Sequence, residues 1–159
     1  MVDVPDTPHV EAYAEMLAAC ACLQLRKATR VVTQIYDESL RSVGLRVTQL
    51  PILVSLAAHG ALSLSDLAEG LVLDRTTLLR NLKPLERRGL IEVSRDDGRR
   101  TRTAALTAAG HEVAAAAVPL WARAQSRVMD ELGTGASIEL QRALSRLVSL
   151  LGRDEADRR

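Results

Sequence analysis

The sequence predicts a mainly α-helical protein that carries one small β-hairpin. Apolar residues make up 47% of the 159 positions while aromatic residues make up only 2%, so leucine, valine and alanine must build the core. Leucine and alanine are strong helix formers, and helices can pack closely over small side chains. One short stretch instead alternates apolar and polar residues on either side of a turn, as hairpin strands do. A chain of this length predicts one domain with its own core.

The first two helices follow from spacing and from end signals. Apolar residues recur every three or four positions from about Pro8 to Leu40, which predicts one long helix of about eight or nine turns. The stretch "VTQLPILVSLAAHG" predicts a second helix. In it Thr48 is the expected N-cap, Pro51 is tolerated in the first turn, and Gly60 is the expected end.

Two capped helices come next. The stretch "SLSD", which begins at Ser63, has the pattern of a capping box and opens a short third helix. Asp74 is the expected N-cap of a fourth helix, called the basic helix below, which ends at Gly89. Pro84 lies inside this helix, but the leucine pattern continues through it, so we expect a bend rather than an end.

The basic helix has two unlike faces. Leu78, Leu82 and Leu85 fall on one side at 100° per residue, as a core-facing stripe does. The opposite side is polar and cationic, and Thr77 lies toward its margin. Its members are Thr76, Arg80, Lys83 and Arg87.

A hairpin and two long helices complete the chain. "LIEVSR" and "RRTRTAAL" predict two strands joined by "DDG", which places Arg100 and Arg102 on one face of a basic hairpin. Thr107 is the expected N-cap of a fifth helix, which Pro119 should kink. After a "GTGAS" loop, a last helix carries a wide apolar stripe that needs a cover: Ile138, Leu140, Leu144, Leu147, Leu150 and Leu151.

The positive charge is concentrated in one segment of the chain. Residues 1–74 hold five Lys or Arg against nine Asp or Glu, a net charge of −4. Residues 75–102 hold nine against four, a net charge of +5, and residues 103–159 are neutral with seven of each. A basic stripe of this kind is the footprint of nucleic-acid binding, although a charge run can also be a solvated face.

A helix, a short helix, a turn, an amphipathic helix and a basic hairpin together form a winged helix-turn-helix. The sequence resembles the MarR family of bacterial transcriptional regulators over about residues 10–152. The resemblance is carried by "LSDLAEGLVLDRTTLLRNLKPLERRGLI", by the wing "RDDGRRTRTAALTAAG", and by the long helices on both sides. It implies one MarR-like domain over residues 1–159, with dimerisation helices at 10–43 and 107–152 and a DNA-binding winged helix-turn-helix at 46–106.

The resemblance also implies a homodimer that binds double-stranded DNA and usually acts as a repressor. Two basic helices related by a two-fold axis would bind a pseudo-palindrome with half-sites about 34 Å apart. The wing departs from the family pattern at one place. The family has Asp-x-Arg there, whereas Gly98 occupies the Asp position, Asp97 lies one residue earlier, and Arg100 keeps its place.

The residues expected to contact DNA lie on the basic helix and the wing. We expect Thr76, Thr77 and Arg80 to contact base edges, because arginine can bind guanine bidentately and a threonine methyl can pack on thymine. The threonines could instead contact phosphate or cap the helix. The remaining cations, with Arg100 as the expected minor-groove residue, are Arg75, Lys83, Arg87, Arg99, Arg100 and Arg102. Asn81 lies at the border between the two faces, so a structural role explains it as well as a DNA contact does. Ser63 and Ser65 could donate to phosphate, but capping of the third helix is enough to explain them.

Two routes of regulation remain open. The resemblance implies release from DNA by a small molecule, often a phenolic one. It also places Cys22 where the peroxide-sensing branch of the family has its reactive cysteine, although Tyr13 and Tyr36 are the chain's only tyrosines and none lies in the second helix, where that branch has them. Free cysteine is often only a small buried apolar residue, and we favour that interpretation for Cys22 because a reactive thiol needs a lowered pKa and access. Cys20 and Cys22 would lie 200° apart on a continuous helix, so we expect neither a disulfide nor a shared metal.

Other classes of protein find little support in the sequence. His9, His59 and His111 lie in separate segments without metal-ligand spacing, and neither a Gly-rich phosphate loop nor GxSxG occurs. We therefore expect no enzyme, no catalytic residue and no cofactor. The N-terminus lacks the pattern of a secretory signal and no apolar run approaches the roughly 20 residues of a membrane span, which predicts a cytoplasmic protein. A winged helix that binds protein is the remaining rival, and it would lack a steep salt dependence.

Overall fold

A computed structural model describes residues 9–95 and 102–156 of the chain, and the side chains of most of these. The chain divides into two compact units, residues 1–35 and residues 36–159. In chain order the elements are α1 Val10–Ala19, α2 Ala21–Leu40, a 3-10 turn Arg41–Val43, α3 Leu50–His59, β1 Leu62–Ser63, α4 Leu64–Gly70, α5 Arg75–Arg87, β2 Ile91–Arg95, β3 Arg102–Leu106, α6 Ala108–Leu132 and α7 Thr134–Ala156.

The first unit contains α1 and most of α2, and here the prediction of one continuous helix was wrong. The helix is interrupted at Cys20, whose backbone is extended with ψ of 104°. Alanine and leucine around it favour helix, so local propensity does not explain the break. The side-chain amide of Gln24 donates to the carbonyl of Ala18 at 3.2 Å, and so satisfies one acceptor near the end of α1.

In the second unit, α3, α4 and α5 form the helix-turn-helix, and the predicted caps of α4 and α5 are confirmed. The Ser63 hydroxyl accepts from the Asp66 amide at 3.0 Å, and the Asp74 carboxylate accepts from the Thr77 amide at 2.8 Å. The prediction of Thr48 as the N-cap of α3 was wrong, because α3 begins at Leu50. The preceding turn is instead closed by the Gln49 side chain, which accepts from the Arg46 amide at 3.0 Å.

The sheet has three strands rather than the two of the predicted hairpin. β2 and β3 pair antiparallel, with Val93 opposite Ala104 and Arg95 opposite Arg102. The short β1 adds to the other edge of β3, with Leu62 opposite Ala104, so the strand order is β1-β3-β2. The predicted turn from Asp96 to Gly98 lies outside the described residues.

The core lies between the helix-turn-helix, the sheet and α6. Leu78, Leu82 and Leu85 of α5 are all at most 2% exposed, which confirms the predicted inner face. They share one apolar cluster with α3, α4, the sheet and two alanines of α6. Burying three leucine side chains contributes several kcal/mol at roughly 1.5–3 kcal/mol each, so packing fixes the rotation of α5 about its axis.

The long helices differ from prediction at one boundary. Thr107 caps α6 as expected, accepting from the Gly110 amide at 3.0 Å, and the helix continues through Pro119. The "GTGAS" stretch was predicted as a loop, but α7 already begins at Thr134. The hydroxyl of Ser137 donates to the Gly133 carbonyl at 2.7 Å within this first turn. Among the described residues, no helix has the length and apolar character to cross a membrane.

Candidate nucleic-acid interface

The N-terminus of α5 is held by a double contact between Asp74 and Thr77. The Asp74 carboxylate accepts from the Thr77 amide at 2.8 Å and from the Thr77 hydroxyl at 2.6 Å. The Thr77 carbonyl in turn accepts from the side-chain amide of Asn81 at 2.9 Å. These contacts fix the first turns of α5, so the side chains just beyond the cap start from an ordered backbone. They also give Thr77 and Asn81 the structural roles that the sequence left open.

The outer face of α5 carries the predicted cations. Its inner face is a buried leucine face, so the side chains opposite must point to solvent. The four residues of this outer face are all exposed: Thr76, Arg80, Lys83 and Arg87. Arg75, at the start of the helix, is also exposed. Thr77 is half-buried at the margin of this face, as its spacing predicted. An exposed row of guanidinium and ammonium groups on a rigid helix can contact phosphates and base edges.

One wing residue comes close to this face. Lys83 of α5 and Arg102 of β3 both line a small cleft of about 230 Å³, together with Glu86 and Val93. The structure thereby brings two of the predicted cations from separate elements to one place, with one carboxylate beside them. Arg99 and Arg100, the other predicted wing residues, lie outside the described residues.

Arg88 is a cation that the sequence did not assign, and its role is structural. Its guanidinium donates to the carbonyl of Val43 at 3.0 Å and to the carbonyl of Gly44. Gly44 has φ of +66°, and a Cβ there would lie 3.2 Å from the guanidinium. This clamp joins the C-terminal end of α5 to the turn that follows α2. Arg88 follows directly after a predicted cation, and nothing in the charge pattern distinguishes the two.

The cysteines are both free thiols; Cys22 is exposed and Cys20 is half-buried. The expectation that they point apart assumed a continuous helix, and the break at Cys20 removes that premise. No group of three or more metal-ligating side chains is present in the described part of the chain.

One tyrosine is buried where α2 meets α6. The Tyr36 hydroxyl donates to the side-chain carbonyl of Gln125, and the Ser39 hydroxyl donates to the Leu120 carbonyl at 2.6 Å. Burial raises the pKa of Tyr36 above its ordinary value of 10.0, because the phenolate would lose its hydration. The end of α2 is therefore tied to α6 by two polar contacts.

Comparison with known proteins identifies this arrangement. The model of the MarR family matches residues 45–101, which span the helix-turn-helix and β2, the first strand of the wing. The crystal structure of the M. tuberculosis transcriptional regulator MosR is 33% identical, with a TM-score of 0.73, and the match covers 84% of this chain and 96% of MosR. The chain belongs to the MarR family. The identification made from the sequence is thus confirmed, and the protein is a DNA-binding transcriptional regulator of that family.

Two further MarR-like structures contain DNA. MosR in complex with DNA is 34% identical, covers 88% of this chain and 99% of that chain, and has a TM-score of 0.75. The transcriptional repressor CouR bound to a 23-mer duplex is 26% identical, covers 84% and 95%, and has a TM-score of 0.74. A search of curated protein sequences gave no match. The predicted fold class, a mainly α winged helix-turn-helix with long flanking helices, is confirmed.

Proposed function

We propose that this protein binds a pseudo-palindromic operator as a homodimer, represses transcription there, and releases DNA when an effector binds. The observation that carries the proposal is the exposed cationic face of α5, which is backed by a fully buried leucine face. A helix fixed in this way can enter the major groove without changing the core. The DNA complexes of MosR and CouR, two similar proteins, support this mode of binding.

Within this proposal the side chains have different tasks. Arg80 lies nearly two turns past the N-cap Asp74 and contacts a base edge, and Thr76 packs beside it. The hydroxyl of Thr77 is engaged by Asp74, so its contribution is to hold the cap. The other cations contact backbone phosphates, and the wing residues Arg99, Arg100 and Arg102 reach the minor groove. Residues 46–106 form the DNA-binding region.

The proposed dimer follows from the apolar surface of the terminal helices, residues 10–43 and 107–152. Of the six residues predicted to form the α7 stripe, five lie within about 120° of one helix face: Leu140, Leu144, Leu147, Leu150 and Leu151. Each is 39–64% exposed, whereas Ile138, 44% exposed, lies on the opposite side of the helix. Single exposed leucines are ordinary, but five on one helix face favour a protein partner. A two-fold axis through such helices would present two α5 faces to successive major grooves.

The remaining parts of the proposal are the effector, the location and the absence of catalysis. The effector is either a small molecule or an oxidant of Cys22, whose exposure gives an oxidant access. We place the protein in the cytoplasm because its target is DNA, and we assign it no catalytic activity because it belongs to a family of regulators.

A gel-shift titration against the DNA upstream of the protein's own gene tests the proposal. With six or more phosphate contacts, the affinity should fall about 10³-fold between 0.05 and 0.2 M salt. Arg80→Ala should weaken binding to this DNA more than binding to a scrambled duplex, whereas Arg127→Ala on α6 should change neither. The absence of salt-sensitive binding to any duplex would contradict the proposal and favour a protein-interaction module.

The same titration separates the two effectors. If an organic peroxide releases the DNA and Cys22→Ser prevents this, the effector is an oxidant. If wild-type binding is indifferent to peroxide, the proposal requires a small-molecule effector.

A further inference from the structure

A second cleft lies on the opposite flank of α5 from the wing. It measures about 700 Å³, and its walls are the turn before α3, the α4–α5 connection and the side of α5. Thr77 and Arg80 line this cleft and also belong to the DNA-facing side of α5. The cleft is therefore continuous with the proposed DNA-binding face.

The charged side chains that line the cleft are all cationic in the part of the chain that the structure describes. They are Arg46, Arg80 and Arg88, and no described aspartate or glutamate lines it. Arg88 is already bound to two carbonyls, so two guanidinium groups are available to a ligand. Among the described residues, the Arg46 side chain makes one weak ion pair. It is 77% exposed, and its Nη1 lies 3.7 Å from the Asp37 carboxylate. An exposed pair of this kind contributes at most about 1 kcal/mol, so Arg46 can turn to a stronger anion.

The main-chain donors of this turn are mostly engaged, so a ligand must be bound by side chains. The Val47 amide donates to Asp37 at 2.7 Å, and the Arg46 amide donates to the Gln49 side chain at 3.0 Å. Gln49 is only 7% exposed, and its Oε1 is taken by this bond. Within the described chain its Nε2 has no acceptor, and no buried side-chain nitrogen there lacks a partner, so Nε2 keeps contact with solvent. Gln49 lines the cleft, and its Nε2 is therefore a donor available to a ligand there.

From these contacts we infer that the cleft between the α3 turn and α5 binds a backbone phosphate of the DNA strand that borders the groove occupied by α5. Arg46 supplies the charge, the Gln49 amide supplies a positioned donor, and the exposed Thr48 hydroxyl lies on the same rim. The inference rests on the proposed function, since it adds one fixed phosphate contact to the DNA-binding surface and makes Arg46 and Gln49 positioning contacts for α5.

A DNA phosphate fits the cleft better than a small free anion does. Small-molecule sites bury most of their ligand, whereas the rim residues Arg46, Thr48 and Pro51 are all exposed here. The cleft also shares Thr77 and Arg80 with the DNA-facing side, so a strand seated on α5 can pass directly over it. A phosphate contact at this place would set the register of α5 in the groove.

The expected effect can be calculated from counterion release. Each phosphate neutralised on duplex DNA contributes about 0.9 to the slope of log affinity against log salt. Removing one contact should therefore lower affinity about fivefold at 0.15 M salt and about fifteenfold at 0.05 M salt. Because a phosphate contact carries no sequence information, the preference for the specific duplex over a scrambled one should stay unchanged.

Fluorescence anisotropy with the upstream duplex and a scrambled duplex, over a range of salt concentrations, tests the inference. Arg46→Ala should reduce the slope by about 0.9 and weaken binding to both duplexes equally. Gln49→Glu keeps an acceptor for the Arg46 amide but puts a carboxylate in the cleft, so its loss of affinity should exceed that of Arg46→Ala at low salt. Arg127→Ala is the matched control, because it also removes an exposed arginine but at a site away from the cleft. Arg127 lies about 30 Å along α6 from Thr107, the residue that joins the sheet to α6. Circular dichroism melting checks that each variant is folded, and Arg46→Ala alone decides if Gln49→Glu is not.

The outcomes separate this inference from the proposed function. If wild type binds DNA with a steep salt slope and Arg46→Ala behaves like Arg127→Ala, the phosphate site is wrong while the proposed function stands. The same conclusion follows if an aromatic carboxylate binds the free protein through Arg46 but Arg46→Ala leaves the slope of log DNA affinity against log salt unchanged. If wild type shows no salt-dependent binding to any duplex, both are wrong.

Discussion

Replacing Gly110 by alanine tests whether one close approach holds α6 against the connection between α5 and β2. Gly110 is the third residue of α6, and a Cβ there would lie 2.0 Å from the carbonyl oxygen of Leu90 and 3.0 Å from a methyl group of Leu106. A carbon and a carbonyl oxygen approach no closer than about 3.3 Å in ordinary contacts, so α6 and the backbone at Leu90 must separate by about 1.3 Å.

The cost follows from what this separation would break. The Thr107 amide donates to the Leu90 carbonyl at 3.1 Å, and the Thr107 hydroxyl donates to the Gly89 carbonyl at 2.7 Å. Each bond contributes about 1 kcal/mol, and overpacking costs about 1–3 kcal/mol. The expected loss of about 3–5 kcal/mol corresponds to a fall of roughly 6–20 °C in Tm for a domain of this size.

Thermal melting followed by circular dichroism measures this loss. Gly70→Ala is the matched control, because Gly70 ends α4 and a Cβ there meets nothing within 4 Å. Alanine in a helix is favoured over glycine by up to about 1 kcal/mol, so this control should melt at or slightly above the wild-type temperature. A Gly110→Ala variant that melts within 2 °C of wild type, a margin of roughly 1 kcal/mol or less, would show that the added Cβ does not separate α6 from Leu90.

Three further predictions concern a cap, a buried hydroxyl and the proposed dimer. Ser63→Ala should cost about 1 kcal/mol of unfolding free energy in urea melts, whereas Ser65→Ala, outside the cap, should stay within about 0.5 kcal/mol; equal losses would contradict the cap. Because the pKa of Tyr36 is raised in the folded protein, the unfolded chain ionises first above pH 10.0. Stability should therefore fall as pH rises past that value, and Tyr36→Phe should remove this part of the fall. A Tm that changes with pH in the same way for wild type and Tyr36→Phe would contradict this prediction. Leu147→Glu should shift sedimentation from dimer to monomer while Ser145→Glu should not, and a dimeric Leu147→Glu would remove the α7 stripe from the interface.

The parts of the fold that the sequence predicted are those with a short-range cause. The caps at Ser63, Asp74 and Thr107 each depend on a side chain and an amide three residues later, so spacing alone identifies them. The buried face of α5 follows from leucines at helical spacing. Its cationic outer face follows by exclusion once those leucines are buried.

The parts that the sequence missed depend on contacts between distant residues or on weak signals. β1 has only two residues, and its pairing with Ala104 bridges 42 positions, so no local alternation reveals it. The break at Cys20 occurs among strong helix formers. At the start of α3, the N-cap position is Gln49 and not the predicted Thr48. The long Gln49 side chain reaches back and accepts from the Arg46 amide in the preceding turn.

The DNA-binding surface shows the same limit. Residue type predicted which cations could contact DNA, but not which of them the fold uses elsewhere. Arg88 is bound to the carbonyls of the turn after α2, whereas Arg87 beside it lies on the outer face of α5. Arg46 lies 34 positions before Arg80 and outside the basic segment, so only the folded chain brings the two to one cleft.

Selection of binding sites from a pool of random duplexes, with wild type and Arg80→Ala compared, tests whether α5 of a homodimer recognises the DNA sequence. If α5 of a homodimer reads DNA, wild type should enrich a pseudo-palindrome whose half-sites lie about 10 base pairs apart, and Arg80→Ala should relax the same position in both halves. A pool that shows no enriched motif with wild type, or a motif that Arg80→Ala leaves unchanged at every position, would contradict the account.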